Sequence, residues 1–256
     1  MSELNIHRTG THGRPVLLLH PLALSGSVWG PVAEYLGTRH QVLALDARGH
    51  GESSWDESEF TVADMAADAA AVIEDFGAGP ADVIGLSMGG STALVLAATR
   101  PDLVHRLVLA DATAWYGPDS VDEWAQRAER ALGLDRRAQL EFQRDRWFAD
   151  AFRASHPDEV ERVCEIFVAT DSKAHAAACR ALGTLDARDR LGDVQAETLV
   201  LVGAEDYATP PSMSQELAAG IEGARLQVLD RARHLSLLER PDLWPVVAAH
   251  FAGDAS

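Results

Sequence analysis

Short apolar runs alternate with helical patterns in the first half of the chain. Runs such as VLLL and LVLA are apolar on both faces, as is typical of strands buried in a parallel sheet. The pattern predicts strands over 3–8, 15–20, 41–46, 81–86 and 106–110, and helices over 27–36, 62–76 and 88–99. Alternation of this kind indicates an α/β domain with a mostly parallel central sheet.

The helix predicted over 62–76 has signals at both of its ends. Thr61 and Asp64 have the spacing of an N-cap residue and its partner three positions later. Gly77 and Gly79, followed by Pro80, are residues that end helices. We therefore expect this helix to begin and end close to the predicted bounds.

The pattern changes near residue 116, and residues 119–182 read as almost entirely helical. Strands then return at 197–202 and 225–229, each followed by a helix, at 212–219 and 241–251. We predict a core domain (1–115 and 191–256) whose sheet is interrupted after its sixth strand by a helical cap subdomain (116–190). A pocket between core and cap is the expected binding site.

The segment Gly85-Leu86-Ser87-Met88-Gly89 lies between an apolar strand and a helix rich in small residues. A G-x-S-x-G sequence in a strand–turn–helix context is typical of a nucleophile elbow. The turn forces Ser87 into strained backbone geometry and lifts its Oγ above the sheet. The N-terminus of the following helix offers N–H donors to a developing oxyanion. We predict Ser87 as the nucleophile; a plain small-residue turn is the alternative.

An acid and a histidine follow Ser87 in the chain order Ser, then Asp, then His, which is the order of catalytic residues expected after a nucleophile elbow. Asp206 comes directly after the strand TLVLVG, so its carboxylate is expected at the edge of the sheet where open α/β sheets bind ligands. There it would orient the imidazole and stabilise its cation. Glu205 beside it and Asp111, at the end of the strand LVLA, are the alternatives.

The predicted base is His234, one of ten histidines. It lies in the loop after the last predicted strand, which opens at the same edge of the sheet. The other candidates lie at ends of elements away from that edge or in the cap, where surface or packing roles are expected: His40, His105, His250, His156 and His175.

Two further loops follow strands at this edge. The loop HPLALS after the strand 15–20 supplies the second oxyanion donor in this fold, so we predict the backbone N–H groups of Leu22 and Met88 as the oxyanion hole. His20 is expected to be a hydrogen-bonding residue of that loop. In the segment DARGHGES, Asp46 and Arg48 are expected to form a structural ion-pair network.

Composition and charge narrow the function classes. The chain has 256 residues, 47% hydrophobic content and a net charge of −17, which disfavours nucleic acid and anionic membranes as partners. The start of the chain has no signal-peptide pattern, and the apolar runs are too short to span a bilayer, so we expect a cytoplasmic protein. The two cysteines, Cys164 and Cys179, are expected to be packed and buried. No metal cluster, P-loop or dinucleotide fingerprint is present, and we expect no cofactor or metal.

The acidic charge is unevenly distributed. Residues 113–190 hold 12 Lys/Arg against 15 Asp/Glu, whereas the rest of the chain holds 10 against 24. The predicted cap is therefore almost neutral, and a small anionic substrate is compatible with it.

The chain resembles the capped α/β-hydrolases over nearly its whole length, on the segments DARGHGES, GLSMGG, VGAEDYATPP and ARHLSLLERP. Within that superfamily it is similar to the 3-oxoadipate enol-lactonases, through the cap run RWFADAF, a Cys-containing helix of small residues and a D-x-R sequence at 186–188. The resemblance implies hydrolysis of a small carboxylated enol-lactone. The chain departs from these enzymes at the loop HPLA, where they usually have an Asn-Ser-Leu-Gly type of sequence.

The function predicted from these features is hydrolysis of a small ester or lactone through an acyl-serine intermediate, with no cofactor. Arg144, Arg146 and Trp147 are candidates to contact a carboxylate and an apolar group of the substrate, although solvated or packing roles are an equal alternative. C–C bond hydrolysis and perhydrolysis are alternative chemistries on the same residues. A ligand receptor with a hydrolase fold is the alternative of another class, and a homodimer is one assembly that the sequence leaves open.

Overall fold

Seven strands form one sheet in the computed structural model, which describes residues 3–253. The strands are β1 (Ile6–Thr9), β2 (Pro15–Leu19), β3 (Gln41–Leu45), β4 (Ala81–Leu86), β5 (Val104–Ala110), β6 (Glu197–Gly203) and β7 (Arg225–Leu229). Their order across the sheet is β1-β3-β2-β4-β5-β6-β7. Only the edge strand β1 is antiparallel to its neighbour, and every other pair within the described residues is parallel. The predicted mostly parallel sheet is confirmed.

Eleven α-helices fall within the described part of the chain. They are α1 (Gly30–Gly37), α2 (Val62–Phe76), α3 (Met88–Thr99), α4 (Ser120–Gly133), α5 (Leu140–Trp147), α6 (Asp150–Ser155), α7 (Pro157–Ala169), α8 (Ser172–Gly183), α9 (Pro211–Gly220), α10 (Ser236–Glu239) and α11 (Trp244–Ala252). Four short 3-10 helices accompany them, at Gly26–Trp29, Pro101–Leu103, Arg188–Asp193 and Pro241–Leu243. None of the helices between residues 3 and 253 is long and apolar enough to cross a membrane.

The ends of α2 and α3 coincide with the predicted bounds. The Thr61 side chain accepts a hydrogen bond from the N–H of Asp64, whose carboxylate accepts one from the Thr61 N–H in return. Gly77 ends α2 with a left-handed φ of 71°, a conformation that glycine adopts without steric cost. The predicted cap signals of this helix are confirmed.

The helices α4 to α8 are inserted between β5 and β6, after the fifth strand rather than the sixth. The prediction counted one strand too many, because within the described residues the chain before β2 forms only one strand, the edge strand β1. Residues 10–14 join β1 directly to β2.

The core lies on both faces of the sheet. Every residue of β2 and β4 is buried, as the runs PVLLL and ADVIGL predict for central parallel strands. The helix α3 packs on β2, β4 and β5 and against α2, while α11 packs on β5 and against α1. This packing fixes the carboxyl ends of the central strands, where the candidate site lies.

The inserted helices are bonded to the core close to that edge. The backbone N–H groups of His234 and Leu235 donate to the carbonyls of Arg146 and Trp147 at the end of α5, over 3.4 and 3.0 Å. Within the insertion, α4 packs along α8. The last turn of α5 therefore lies next to the loop that carries His234.

Candidate active site

Ser87 occupies a sharp turn between β4 and α3. Its backbone has φ 55° and ψ −118°, a strained conformation for a residue with a side chain, which costs about 1–3 kcal/mol. Neighbouring glycines make the turn sterically possible. A Cβ at Gly85 would lie 2.2 Å from the carbonyl oxygen of Gly89, and one at Gly89 would lie 2.0 Å from that of Leu19. The predicted elbow geometry at Ser87 is therefore present.

Ser87, His234 and Asp206 form one hydrogen-bonded chain. The Oγ of Ser87 lies 2.8 Å from Nε2 of His234, and Nδ1 of His234 lies 2.8 Å from Oδ2 of Asp206. The Asp206 carboxylate also accepts hydrogen bonds from the backbone N–H groups of Ala208 (2.7 Å) and Thr209 (3.1 Å) and from the Thr209 hydroxyl (2.8 Å). The three residues predicted from the sequence are thus brought together, although they come from three different loops.

The environment of Asp206 keeps its carboxyl ionised. Burial raises the pKa of Asp206, but the charge of His234 and the hydrogen bonds from His234 and Thr209 outweigh burial, so the pKa lies below its usual value. An ionised Asp206 can only accept a hydrogen bond, so Nδ1 of His234 carries the proton in that bond. In a neutral imidazole the lone pair is then on Nε2 and faces the Ser87 hydroxyl, as a general base requires.

The two alternative acids lie elsewhere. Asp111 is fully buried and accepts hydrogen bonds from the N–H of Gly203 (2.9 Å) and from the N–H (3.0 Å) and hydroxyl (2.6 Å) of Ser236. Burial and the charge of Asp206 raise the pKa of Asp111 well above its usual value. Glu205 faces Arg233 at 3.5 Å. Neither side chain contacts the imidazole of His234, and Asp206 alone of the three is its partner.

The loop that follows β2, residues 20–24, is called the oxyanion loop below. Two hydrogen bonds of the His20 ring stabilise this loop. The Nδ1–H of His20 donates to the carbonyl of Pro21 (2.7 Å), and Nε2 accepts from the N–H of Ala47 (3.0 Å). His20 therefore has the hydrogen-bonding role predicted for it. Within residues 3–253, the backbone N–H groups of Leu22 and Met88 donate to no other group. Two free donors consequently remain, one in the oxyanion loop and one directly after Ser87.

A small cavity opens over Ser87 and His234. The core also lines it with Pro21, Leu22 and Ala23 of the oxyanion loop and with Ala208 and Thr209. The insertion contributes Tyr116, Trp124, Arg127, Gln143, Arg146, Trp147 and His175. A wider opening toward the surface shares several of these residues. Among the described residues that line the inner cavity there are two arginines and no aspartate or glutamate. The cavity is therefore locally cationic in a strongly acidic protein.

Of the three predicted substrate-binding residues, Arg146 and Trp147 line the cavity and Arg144 does not. Arg144 donates to Cys164 Sγ (3.1 Å) and to the carboxylate of Glu161 (2.6 Å), outside the cavity lining. Side chains two positions apart in an α-helix differ in direction by roughly 200° around the helix axis. Arg144 and Arg146 therefore lie on nearly opposite faces of α5. The prediction that Arg144 contacts the substrate is therefore corrected.

Arg127 is the cavity residue that the sequence analysis missed. It lies on α4 three positions after Trp124, and its guanidinium stacks on the Trp124 ring at 4.7 Å. Residues at that spacing share one helix face, and Trp124 is buried on the face that packs inward. The sequence signal that could have identified Arg127 is its position three residues after a tryptophan in a predicted helical segment.

Neither cavity arginine has an acidic partner. Arg146 donates only to the carbonyl of Tyr207 (3.3 Å) and lies over the ring of Phe142 (4.9 Å), and within residues 3–253 neither Arg127 nor Arg146 forms an ion pair. Burial, and then the charge of Arg127, lower the pKa of Arg146. Two neighbouring arginines, of which Arg146 is the one whose charge is disfavoured by burial, form a site where an anion is electrostatically favoured.

His175 is buried in the cavity wall. The sequence analysis predicted a surface or packing role and did not predict that His175 lines the cavity. Its Nδ1 lies 2.7 Å from Nη1 of Arg136, and Nη2 of the same guanidinium donates to the carbonyl of Phe167. Its Nε2 has no hydrogen-bond partner within the described part of the chain. Metal binding is not suggested, since no group of three or more His, Cys, Asp or Glu between residues 3 and 253 could hold an ion.

Comparisons with known proteins agree with this geometry. Residues 14–241 match the family described as alpha/beta hydrolase fold. The 3-oxoadipate enol-lactonase 2 of Acinetobacter baylyi is 30% identical over 93% of this chain and 88% of its own. The crystal structure of an enol-lactonase from Burkholderia xenovorans superposes with a TM-score of 0.92 at 29% identity, covering 98% of this chain and 97% of that one. A malate-bound thermophilic esterase from Thermogutta terrifontis gives 0.91 at 28% identity, covering 100% and 95%. The chain therefore belongs to the α/β-hydrolase fold family, is related to hydrolases, and resembles the 3-oxoadipate enol-lactonases.

Proposed function

We propose that this protein is a serine hydrolase that cleaves a small ester or lactone through an acyl-Ser87 intermediate. The observation that carries the proposal is the hydrogen-bonded chain from Ser87 Oγ to His234 Nε2 and from His234 Nδ1 to Asp206, with 2.8 Å at both steps. This arrangement is suited to removing the serine proton as a carbonyl carbon is attacked.

The first half of the reaction forms the acyl-enzyme. Ser87 Oγ attacks the carbonyl carbon of the substrate while its proton passes to Nε2 of His234. The carbonyl oxygen becomes an oxyanion, which the N–H groups of Leu22 and Met88 stabilise, while Asp206 stabilises the imidazolium. As the tetrahedral intermediate collapses, the bond to the leaving oxygen breaks, and that oxygen takes the proton from His234. In a lactone the leaving oxygen stays tethered to the acyl group.

The second half releases the acid. A water molecule gives a proton to His234 Nε2 and attacks the acyl carbon, and the oxyanion forms again in the same place. Collapse breaks the bond to Ser87 Oγ, which recovers its proton from His234. The products are a carboxylic acid and an alcohol or, from a lactone, a hydroxy or oxo acid.

We further propose that residues 116–190 act as a cap that selects substrates carrying a carboxylate. Arg127 and Arg146 lie in the cavity wall, and neither has an acidic partner among the residues that the structure describes. An arginine–carboxylate pair in a partly dry cavity is strong and oriented. Repulsion from the net charge of −17 does not oppose this binding strongly, because salt screens it over about 8 Å. The names of the related enol-lactonases and of the malate-bound esterase are consistent with acidic substrates.

A substrate screen tests the proposal. Purified enzyme would be assayed on matched pairs of small esters and lactones, with and without a carboxylate, beside Ser87→Ala as the control. We expect turnover of both classes, a lower KM for the carboxylated members, and no turnover by the variant. Binding without turnover by the unaltered enzyme would instead favour a receptor with a hydrolase fold, and a preference for uncharged substrates would contradict the carboxylate site.

A further inference from the structure

The inserted helices bond to the oxyanion loop as well as lining the cavity. We propose that Thr170, which follows the last residue of α7, is a positioning residue that holds this loop in its reactive conformation. The inference rests on the proposed function, because it assumes that the N–H of Leu22 stabilises the oxyanion. The inference gives the inserted helices a role besides substrate selection, because a residue outside the core would then affect the rate of the chemical step.

The first observation is backbone strain in the oxyanion loop. Ala23, the residue after Leu22, has a φ of 58°, a left-handed conformation that is unfavourable for a residue with a Cβ. A glycine would adopt this conformation without strain. An alanine here needs contacts that hold it, because relaxation of φ toward negative values would turn the peptide groups around Leu22 away from their present directions.

The second observation is the contact that holds Ala23. The hydroxyl of Thr170 donates to the carbonyl oxygen of Ala23 over 2.8 Å, in a buried environment. The same hydroxyl lies 3.2 Å from the carbonyl of Ile166 one turn earlier in α7, so the Ala23 carbonyl is the nearer acceptor. Both residues are nearly inaccessible to water, with exposures of 1% for Ala23 and 6% for Thr170, so no solvent molecule replaces this bond easily.

The third observation is that α7 is itself fixed to the core beside the oxyanion loop. The guanidinium of Arg162 donates to the carbonyls of Ser27 (3.0 Å) and Val28 (2.9 Å), in the 3-10 helix that follows the loop. Glu159 holds the same guanidinium from within α7. The segment 23–28 is thus bonded to α7 and Thr170 at both of its ends, and of these bonds the one from Thr170 lies nearest to Leu22.

These contacts predict an effect on the transition state rather than on substrate binding. The N–H of Leu22 meets a full negative charge only when the oxyanion forms, and a small displacement weakens that hydrogen bond more than a bond to the neutral carbonyl. Loss of the Thr170 hydroxyl should therefore lower kcat and leave KM almost unchanged.

The experiment compares Thr170→Val, which removes the hydroxyl at nearly constant shape, with Thr170→Ser, which keeps it. On a small neutral ester we expect Thr170→Val to lower kcat by roughly 3- to 30-fold, less than the loss of a direct oxyanion donor, with KM within about twofold. Affinity for a trifluoromethyl ketone analogue of the tetrahedral intermediate should fall by the same factor as kcat/KM. Thr170→Ser should retain most of the activity. Thr99→Val is the matched control, because its hydroxyl bonds only within α3.

A second background separates positioning from general damage. In Ala23→Gly the left-handed φ carries no strain, so the kcat loss caused by Thr170→Val should be several-fold smaller there. Rates are expressed per active site, counted from the burst of released p-nitrophenol, so that misfolded protein does not lower kcat. The proposal is overturned if Thr170→Val changes only KM, if analogue affinity does not follow kcat/KM, or if the loss is equal in both backgrounds. Activity of Ser87→Ala would instead contradict the proposed function itself.

Discussion

Arg136 fixes the tautomer of His175 through a single hydrogen bond of 2.7 Å to Nδ1. A guanidinium group can only donate, so Nδ1 of His175 must accept, and the proton of the neutral imidazole is on Nε2. Burial, followed by the charge of Arg136, lowers the pKa of His175 well below its usual value, so the ring stays neutral. Within the described residues its buried Nε2–H has no hydrogen-bond partner, and the His175 ring lines the cavity, so we predict that an oxygen of the bound substrate accepts from it.

We predict that His175→Phe raises KM for the preferred substrate by about tenfold, because a donor to a substrate oxygen contributes roughly 1–1.5 kcal/mol. Since the ring is neutral in the folded enzyme, this effect should be the same at pH 6 and pH 8. Steady-state kinetics at the two values provide the measurement. A pH-dependent KM ratio between the two enzymes would contradict the assignment of a neutral donor.

The cavity arginines provide the second prediction. Arg127→Leu and Arg146→Leu should each raise KM for a carboxylated lactone by about tenfold or more, and change KM for a neutral ester by less than about twofold. Arg144→Leu is the matched control, because Arg144 is paired with Glu161 outside the cavity. Equal responses of the two substrates would show that the arginines do not bind a carboxylate.

Acid sensitivity provides the third prediction. Burial, and then the charge of His20, lower the pKa of His50 to about 3. In the unfolded chain this histidine takes up a proton near pH 6.5, which the folded protein does not do. The stability that it contributes is thus present above pH 6.5 and is lost as the pH falls from 6.5 toward 3, by up to about 1.4 kcal/mol per pH unit.

Replacement of this histidine should flatten that dependence. His50→Asn is expected to lose stability between pH 6 and 4.5 less steeply than the unaltered protein, by about 1 kcal/mol per pH unit. Urea unfolding at several pH values measures the slope, and the exposed His12→Asn serves as the control. Parallel slopes for the unaltered protein and His50→Asn would contradict a neutral, buried His50.

The sequence was most informative where local chemistry determines structure. The helix Val62–Phe76 could be predicted to the residue because Thr61 and Gly77 act on their immediate neighbours. Ser87, Asp206 and His234 could be predicted because each follows a strand, and the carboxyl ends of parallel strands meet at one edge of the sheet. The structure places His234 within hydrogen-bond distance of both Ser87 and Asp206.

The sequence was least informative where distant packing decides. Packing decides which face of α5 lines the cavity. Arg144 pairs with Glu161 on another helix, so the sequence near Arg144 could not show that this side chain lies outside the cavity. The hydrogen bond from Thr170 to Ala23 joins residues 147 positions apart, and no local pattern indicates it. The number of strands was overestimated for a different reason, because the short chain ahead of β2 had to be assigned without knowing how it pairs.

The kcat/KM of Ser87→Ala tests the central claim most directly. The hydroxyl is the only group removed, so the variant should remain folded by circular dichroism and should lose at least about a thousandfold in kcat/KM on any ester or lactone that the enzyme hydrolyses. A fluorophosphonate should add its mass to the Ser87 peptide of the unaltered protein and to no peptide of the variant. A folded variant that keeps more than about a tenth of kcat/KM would contradict the account, because Ser87 would then not be the nucleophile.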